Sequence, residues 1–243
     1  MLPAADVLCV VAELAGCTCG RAGRQSWLCS DCRTCKGAGM ARSAHIDLPA
    51  CFNQAKPLTA DVRFIAVDVE TASYEIASIC QIGLAVVGFD NSIATHSVYV
   101  DPCVPFAAGN TRLHGIDAHT VRGAPFFEDL LPELRQALEA YPLVQHSRYD
   151  EKAFDAACLR ADMPALKSVW SDSVAIARKA WPELRGNGGH GLANLKKVLG
   201  LQFRHHDAGE DARAAAQVTL AAEVAMGQKI KFAQISRQMA FEF

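Results

Sequence analysis

Four carboxylates in three separated stretches have the types and positions for one chemistry. Asp68 and Glu70 lie two apart in "RFIAVDVETAS" (63–73), at the end of an apolar run. On a strand, that spacing points both to one face. Asp150 ends "HSRYD" (146–150) and opens a stretch of helical pattern, and Asp211 lies in "HHDAGEDA" (205–212). In α/β sheets, ligands gather at strand ends and helix starts, so the four could meet there. Carboxylates that close repel and raise one another's pKa. A divalent cation reverses the sign of that argument. Mg²⁺ and Mn²⁺ take oxygen ligands and keep positions for water and phosphate. Two such ions, about 3.5–4 Å apart, clamp the attacking and leaving oxygens of a phosphodiester.

A base accompanies the last carboxylate. His206 precedes Asp211 by five positions. Asp207 and Glu210 have capping-box spacing, which makes Asp207 an N-cap and puts Asp211 in the first helical turn, where the helix dipole favours a carboxylate. His206 then falls just outside the helix, on a less constrained segment, within reach of an attacking water. Each piece also has a plain structural reading: Asp150 as a helix cap, Asp211 as a solvated helix face, His205 and His206 as loop residues. The ordered set is far more specific than its parts.

The elements that must position these groups follow from hydrophobic periodicity. Strands are expected over 62–69, 78–89 and 92–100, the last two joined as a hairpin by the turn signal "DNS" (90–92), and a short buried strand over 141–146. Helices are expected over 124–140, 150–162, 171–181, 190–200 (closed by Gly200) and 207–227, the last rich in alanine. An initial meander followed by alternation suggests a mixed sheet covered by helices.

The bulk numbers agree. The chain has 243 residues, half of them hydrophobic, and a formal net charge of −2. A sizeable core is affordable. Binding through bulk positive charge is not expected, although a local nucleic-acid site is compatible. No apolar stretch reaches the length of a membrane span. The N-terminus reads as a short amphipathic helix, not a secretion signal. The expected location is therefore the cytoplasm, where disulfides are rare.

With the motifs in place, residues 62 to about 226 resemble a DEDDh-type 3′–5′ exonuclease, similar to the proofreading subunits of bacterial DNA polymerase III. "VDVET" resembles the first motif, "HSRYD" the second and "HDAGEDA" the third, while "SICQIGL" and "LHGIDAHTV" also look familial. The Tyr-x-x-x-Asp pattern of the sister subclass is absent. The resemblance implies a ribonuclease-H-like fold of α/β class, with a mixed five-stranded sheet flanked by helices. It also implies release of 5′-mononucleotides from single-stranded or frayed nucleic-acid 3′ ends. Asp68, Glu70, Asp150 and Asp211 would hold two Mg²⁺ or Mn²⁺ ions, and His206 would activate water. Thr71 and Ala72 would contact the terminal sugar, and His114, Gly115 and Ile116 would line the base pocket, their alternative being a turn before a helix. The second motif is one residue shorter than its commonest form, which puts a role for His146 in doubt. His205 has the wrong spacing and counts as a neighbour.

Two segments flank this domain. Residues 1–58 form a Cys-rich N-terminal extension, with "CTCGRAGRQSWLCSDCRTC" (17–35) carrying five cysteines. Cys29-x-x-Cys32 has zinc-knuckle spacing and could hold Zn²⁺ with Cys17 or Cys19; a plain extension is the alternative. The tail 227–243 is either an apolar docking strip or packs on the core. The expected function is DNA exonuclease in proofreading or repair, with a DNA polymerase or repair complex as partner. The alternatives are RNA trimming and a non-catalytic, polymerase-associated module.

Overall fold

The computed structural model describes residues 62–233. The Cys-rich extension, the zinc site expected within it and the end of the tail lie outside the described residues.

Five strands form one mixed sheet in the order β3-β2-β1-β4-β5. β1 (Val62–Thr71), β2 (Ile79–Gly88) and β3 (Ile93–Tyr99) make an antiparallel meander. β4 (Leu143–Gln145) runs parallel to β1, and β5 (Trp170–Asp172) parallel to β4. This is the mixed five-stranded sheet flanked by helices that the motifs imply, with the turn at 90–92 closing the expected hairpin.

The helices are α1 (Ala108–His114), α2 (Phe127–Leu138), α3 (Tyr149–Arg160), α4 (Ser173–Ala180), α5 (Leu192–Leu199) and α6 (Ala208–Met226). Gly200 closes α5 in the left-handed region as expected, with φ of 67°. Asp207 caps α6, its side chain accepting from Glu210 N–H at 3.4 Å. Two elements depart from expectation. Residues 170–172 pair as β5, so the helix expected from 171 starts only at Ser173, behind Asp172, which accepts from Val174 N–H at 2.8 Å. α1 occupies a segment to which the sequence reading assigns no element.

The two faces of β1 divide the core. Ile65, Val67 and Val69 pack with Leu130, Leu131, Leu134 of α2 and Phe154 of α3. Phe64 and Ala66 pack with Ala85, Val87 and Val144 against Ala212, Ala215 and Ala216 of α6. The alanines explain that helix's composition: only small side chains let it lie this close to the sheet. The described part of the tail also packs on this face. The Phe232 ring lies 4.9 Å from the Phe64 ring, and Ile230 N–H donates to Glu223 at 2.6 Å.

Candidate active site

Asp68 and Glu70 follow Phe64 and Ala66 on the same face of β1, so the face that receives α6 becomes acidic at its end. Two β2 residues opposite them bring α6 in. Gly83 pairs with Asp68, and Gln81 with Glu70. The buried Gln81 amide oxygen accepts from Ala208 N–H at 3.1 Å. A Cβ on Gly83 would fall 2.0 Å from the Ala208 carbonyl carbon. The first turn of α6 therefore sits on Gly83, and Asp211 arrives beside the β1 carboxylates. One oxygen each from Asp68, Glu70 and Asp211 lie within 4.8 Å of one another.

Asp150 takes a different attachment. It sits in the first turn of α3, buried, with Oδ1 accepting from Val69 N–H at 3.0 Å. Gln145, at the end of β4, holds that turn: its Oε1 accepts from Glu151 N–H at 2.9 Å, and its Nε2 donates to Glu151 Oε2 at 3.2 Å. So the four predicted carboxylates do converge, three as a close group and Asp150 bonded to the backbone between Asp68 and Glu70.

The electrostatics are those of an anionic pocket. Burial above all, then the charges of Asp150, Asp211 and Glu70, push the Asp68 carboxyl well above its usual range. Burial, with Asp211 and Asp150 next, raises Glu70 to about 8. Burial raises Asp150 to about 7 against the opposing Val69 N–H bond. Asp211 is also raised by burial, held back by the His206 N–H and by His205. Buried oxygens that cannot all ionise together are a donor set suited to a hard divalent cation. The acidic cluster is able to hold one.

His206 stands at the edge of this group, its Nδ1 4.0 Å from Glu70 Oε1. The expectation of a loosely held segment is corrected. His206 has a left-handed backbone, φ 66°, and its N–H donates to Asp211 Oδ2 at 2.8 Å. Asp211 thus fixes the backbone of the residue whose side chain faces Glu70. Burial, then the neighbouring His205 ring, lowers the His206 pKa, favouring the neutral form that accepts a proton. His205 is no bystander, since its Nδ1 lies 2.9 Å from Asp211 Oδ2 and its ring stacks on His206 at 4.0 Å. Its spacing hid this, because an offset of six residues predicts no contact along a regular backbone, and the left-handed turn at His206 breaks that regularity.

The segment after β1 is braced from several sides. The Thr71 hydroxyl meets Tyr149 OH at 3.0 Å, and Asn110 Nδ2 donates to Thr71 O at 2.8 Å. His114 is buried; Ile116 N–H donates to its Nδ1 at 3.0 Å, so the ring is the Nε2–H tautomer donating to Thr71 O at 3.1 Å. Ala72 and Ile116 are buried in one apolar cluster with Cys80 and Val121. Gly115 caps α1 with φ 81°. His146 is held by the Ser173 hydroxyl at 2.8 Å and the His190 carbonyl at 3.1 Å, and burial lowers its pKa to about 4.

A sheet carrying three acidic motifs at the ends of β1, α3 and α6, with a histidine poised over the second carboxylate, defines a nuclease of ribonuclease-H-like fold. The chain belongs to the family described as Exonuclease (RNase_T), which matches residues 65–219, more than half of the chain. It is an exonuclease domain, and so a phosphodiester hydrolase. Among curated relatives it is 27% identical over 162 residues to a DNA polymerase III PolC-type of Streptococcus suis. It is 26% identical over 157 residues to the PolC-type polymerase of Caldanaerobacter subterraneus. These matches cover 65% and 64% of this chain but only 11% of each relative, so the chain spans about a tenth of their length. Among solved structures it resembles Exonuclease X in complex with 5′ overhanging duplex DNA, with TM-score 0.54 and 22% identity over 68% of this chain and 94% of that one. It also resembles the nuclease domain of 3′hExo, a DEDDh family member bound to rAMP, with TM-score 0.58 and 16% identity over 72% and 98%. At these identities the structures speak for the fold. Among the described residues no helix is long and apolar enough to cross a membrane.

Proposed function

We propose that this exonuclease removes 5′-mononucleotides from DNA 3′ ends, with two Mg²⁺ or Mn²⁺ ions held by Asp68, Glu70, Asp150 and Asp211. The observation that carries this reading is the group of three carboxylate oxygens within 4.8 Å, beside a histidine aimed at one of them. When bound, the ions neutralise the cluster and stabilise charge on the phosphodiester oxygens. His206 takes the proton of the attacking water, with its ring kept neutral by burial and its backbone held by Asp211. His206→Ala is expected to lower kcat by about 10²–10⁴-fold near neutral pH while leaving metal binding in place; single-turnover rates and metal titration measure the two. A variant with unchanged kcat would remove His206 from the mechanism.

Thr71, Ala72, His114, Gly115 and Ile116 would form the floor under the terminal nucleotide. His114 acts there through the Thr71 carbonyl. Among the side chains exposed beside this floor are Leu113, 57% exposed, and Tyr149, 42% exposed. Both offer an apolar surface to a terminal base.

The neighbouring segment supplies charge that the whole chain lacks. Residues 173–206 contain Arg178, Lys179, Arg185, Lys196, Lys197 and Arg204 against a single carboxylate, Glu183. All but Lys196 are exposed. It runs into the site at His205 and His206, and the His190 carbonyl within it is bonded by His146. These cations favour the phosphates of the strand behind its 3′ end. Replacing Arg178 and Lys179 by Glu should weaken binding of a labelled oligonucleotide and flatten its salt dependence by about 0.7 for each phosphate no longer neutralised. An unchanged slope would place the strand elsewhere.

DNA is the preferred substrate in this reading because the curated relatives are DNA polymerases. A polymerase partner is the corresponding proposal for the chain's setting. Matched end-labelled DNA and RNA strands, with Mg²⁺ or Mn²⁺, test the choice. Faster release from RNA would favour RNA trimming, and no release from either would favour a binding module.

A further inference from the structure

Asp211 belongs to two potential metal-binding groups. One is the oxygen set with Asp68 and Glu70; the other joins it to His205 and His206, again with all donor atoms within 4.8 Å. Their chemistry differs. Three carboxylates suit Mg²⁺ or Mn²⁺, whereas two imidazoles and one carboxylate suit zinc and its transition-metal neighbours. Three protein ligands leave a fourth zinc position for water. His205 Nδ1 already lies 2.9 and 3.0 Å from the two Asp211 oxygens. The two rings stack within 12° of parallel at 4.0 Å. Their side chains are 33% and 32% exposed, which leaves room to tilt both nitrogens toward one ion. Phe203, edge-on to His205 at 5.9 Å, supports the ring from another side.

We propose that His205, His206 and Asp211 bind a zinc-class ion and that its binding switches the nuclease off. The inhibition, unlike the binding, rests on the catalytic assignment above. An ion held there withdraws Asp211 from the oxygen set and occupies the nitrogen lone pair with which His206 accepts a proton. A chain with this pair would respond to the ratio of zinc to magnesium, not to magnesium alone. His205, which is not among the proposed catalytic residues, supplies the nitrogen that makes the second group selective.

The test uses the full chain at saturating Mg²⁺. Zn²⁺ should inhibit nucleotide release from a labelled strand. His205→Phe keeps a ring against His206 and Phe203 but has no nitrogen. It should need about tenfold more zinc, or more, for half-inhibition relative to its own zinc-free rate; His205→Gln should behave alike. The second readout is Co²⁺ binding to the Mg²⁺-saturated protein, followed by visible absorption. Since Cys29 and Cys32 offer thiolates of their own, the measured quantity is the difference spectrum between wild type and each variant. A His205-dependent band supports the site. Equal zinc sensitivity in all three proteins, or no difference spectrum, overturns the proposal. If the wild type releases no nucleotide with Mg²⁺ or Mn²⁺, the nuclease reading fails while the cobalt difference still reports on the site.

Discussion

Asp68→Asn should abolish nucleotide release and, at the same time, raise the melting temperature of the metal-free protein. Both effects come from one fact, the burial of Asp68 and its crowding against Asp150, Asp211 and Glu70. With ions bound, that crowding is a ligand set, and losing one charged oxygen removes the positioning on which the reaction depends. Without ions it is a repulsion that the fold must absorb. The sign follows from proton counts. An acid whose folded pKa lies above its unfolded value binds more protons when native, so stability falls as pH climbs between the two. Glu70 goes from 4.5 to about 8, and Asp150 from 3.8 to about 7. The metal-free wild type should therefore melt lower at about pH 8 than at about pH 5.5, and Mg²⁺ or Mn²⁺ should restore the difference. The Asn variant should show a shallower pH dependence and melt a few degrees higher at the upper pH, about 2–4 °C for each kcal/mol gained. Melting curves with and without chelator measure this. Equal or lower melting of the variant at about pH 8 would mean that the carboxylates are not crowded in solution.

Gly83→Ala should damage activity far more than its size suggests. The added Cβ would meet the Ala208 carbonyl carbon and oxygen at 2.0 Å and the Gly209 nitrogen at 2.4 Å. These are backbone atoms of the first turn of α6, so no rotamer change relieves the clash and the helix start must move. Overpacking of this kind costs about 1–3 kcal/mol. Asp211 and His206 move with that turn, and a displacement of about 1 Å at reacting groups costs on the order of a hundredfold in rate. The expected variant is folded, modestly destabilised, and at least about a hundredfold slower in kcat. Near-normal kcat would show that α6 is not positioned through Gly83.

What is legible in the sequence is chemistry carried by local signals. Asp68 and Glu70 stand out because charge interrupts an apolar strand, and Asp207 and Gly200 because caps obey short-range rules. The parts that are not legible depend on contacts across the chain. Gln81 meets Ala208 over 127 residues of sequence, and nothing near either residue announces it. Gly83 in a strand interior is the available signal, since glycine there often marks a close backbone approach. β5 is three residues long and gains its strand character only by pairing with β4. Spacing rules misplace His205 because they assume regular backbone, and the left-handed turn at His206 breaks that assumption.

The division of β1 into two faces has a consequence for how this domain can change over evolutionary time. Positions 65, 67 and 69 answer only to the packing beneath α2 and α3, so volume-conserving swaps there alter stability and spare the chemistry. Positions 64, 66, 68 and 70 share the α6 face with the acidic site. Stability and catalysis can thus drift along separate tracks within one strand. Insertion of a single residue in β1 is the change such drift cannot survive, because it would exchange the two tracks and turn both carboxylates into the apolar core.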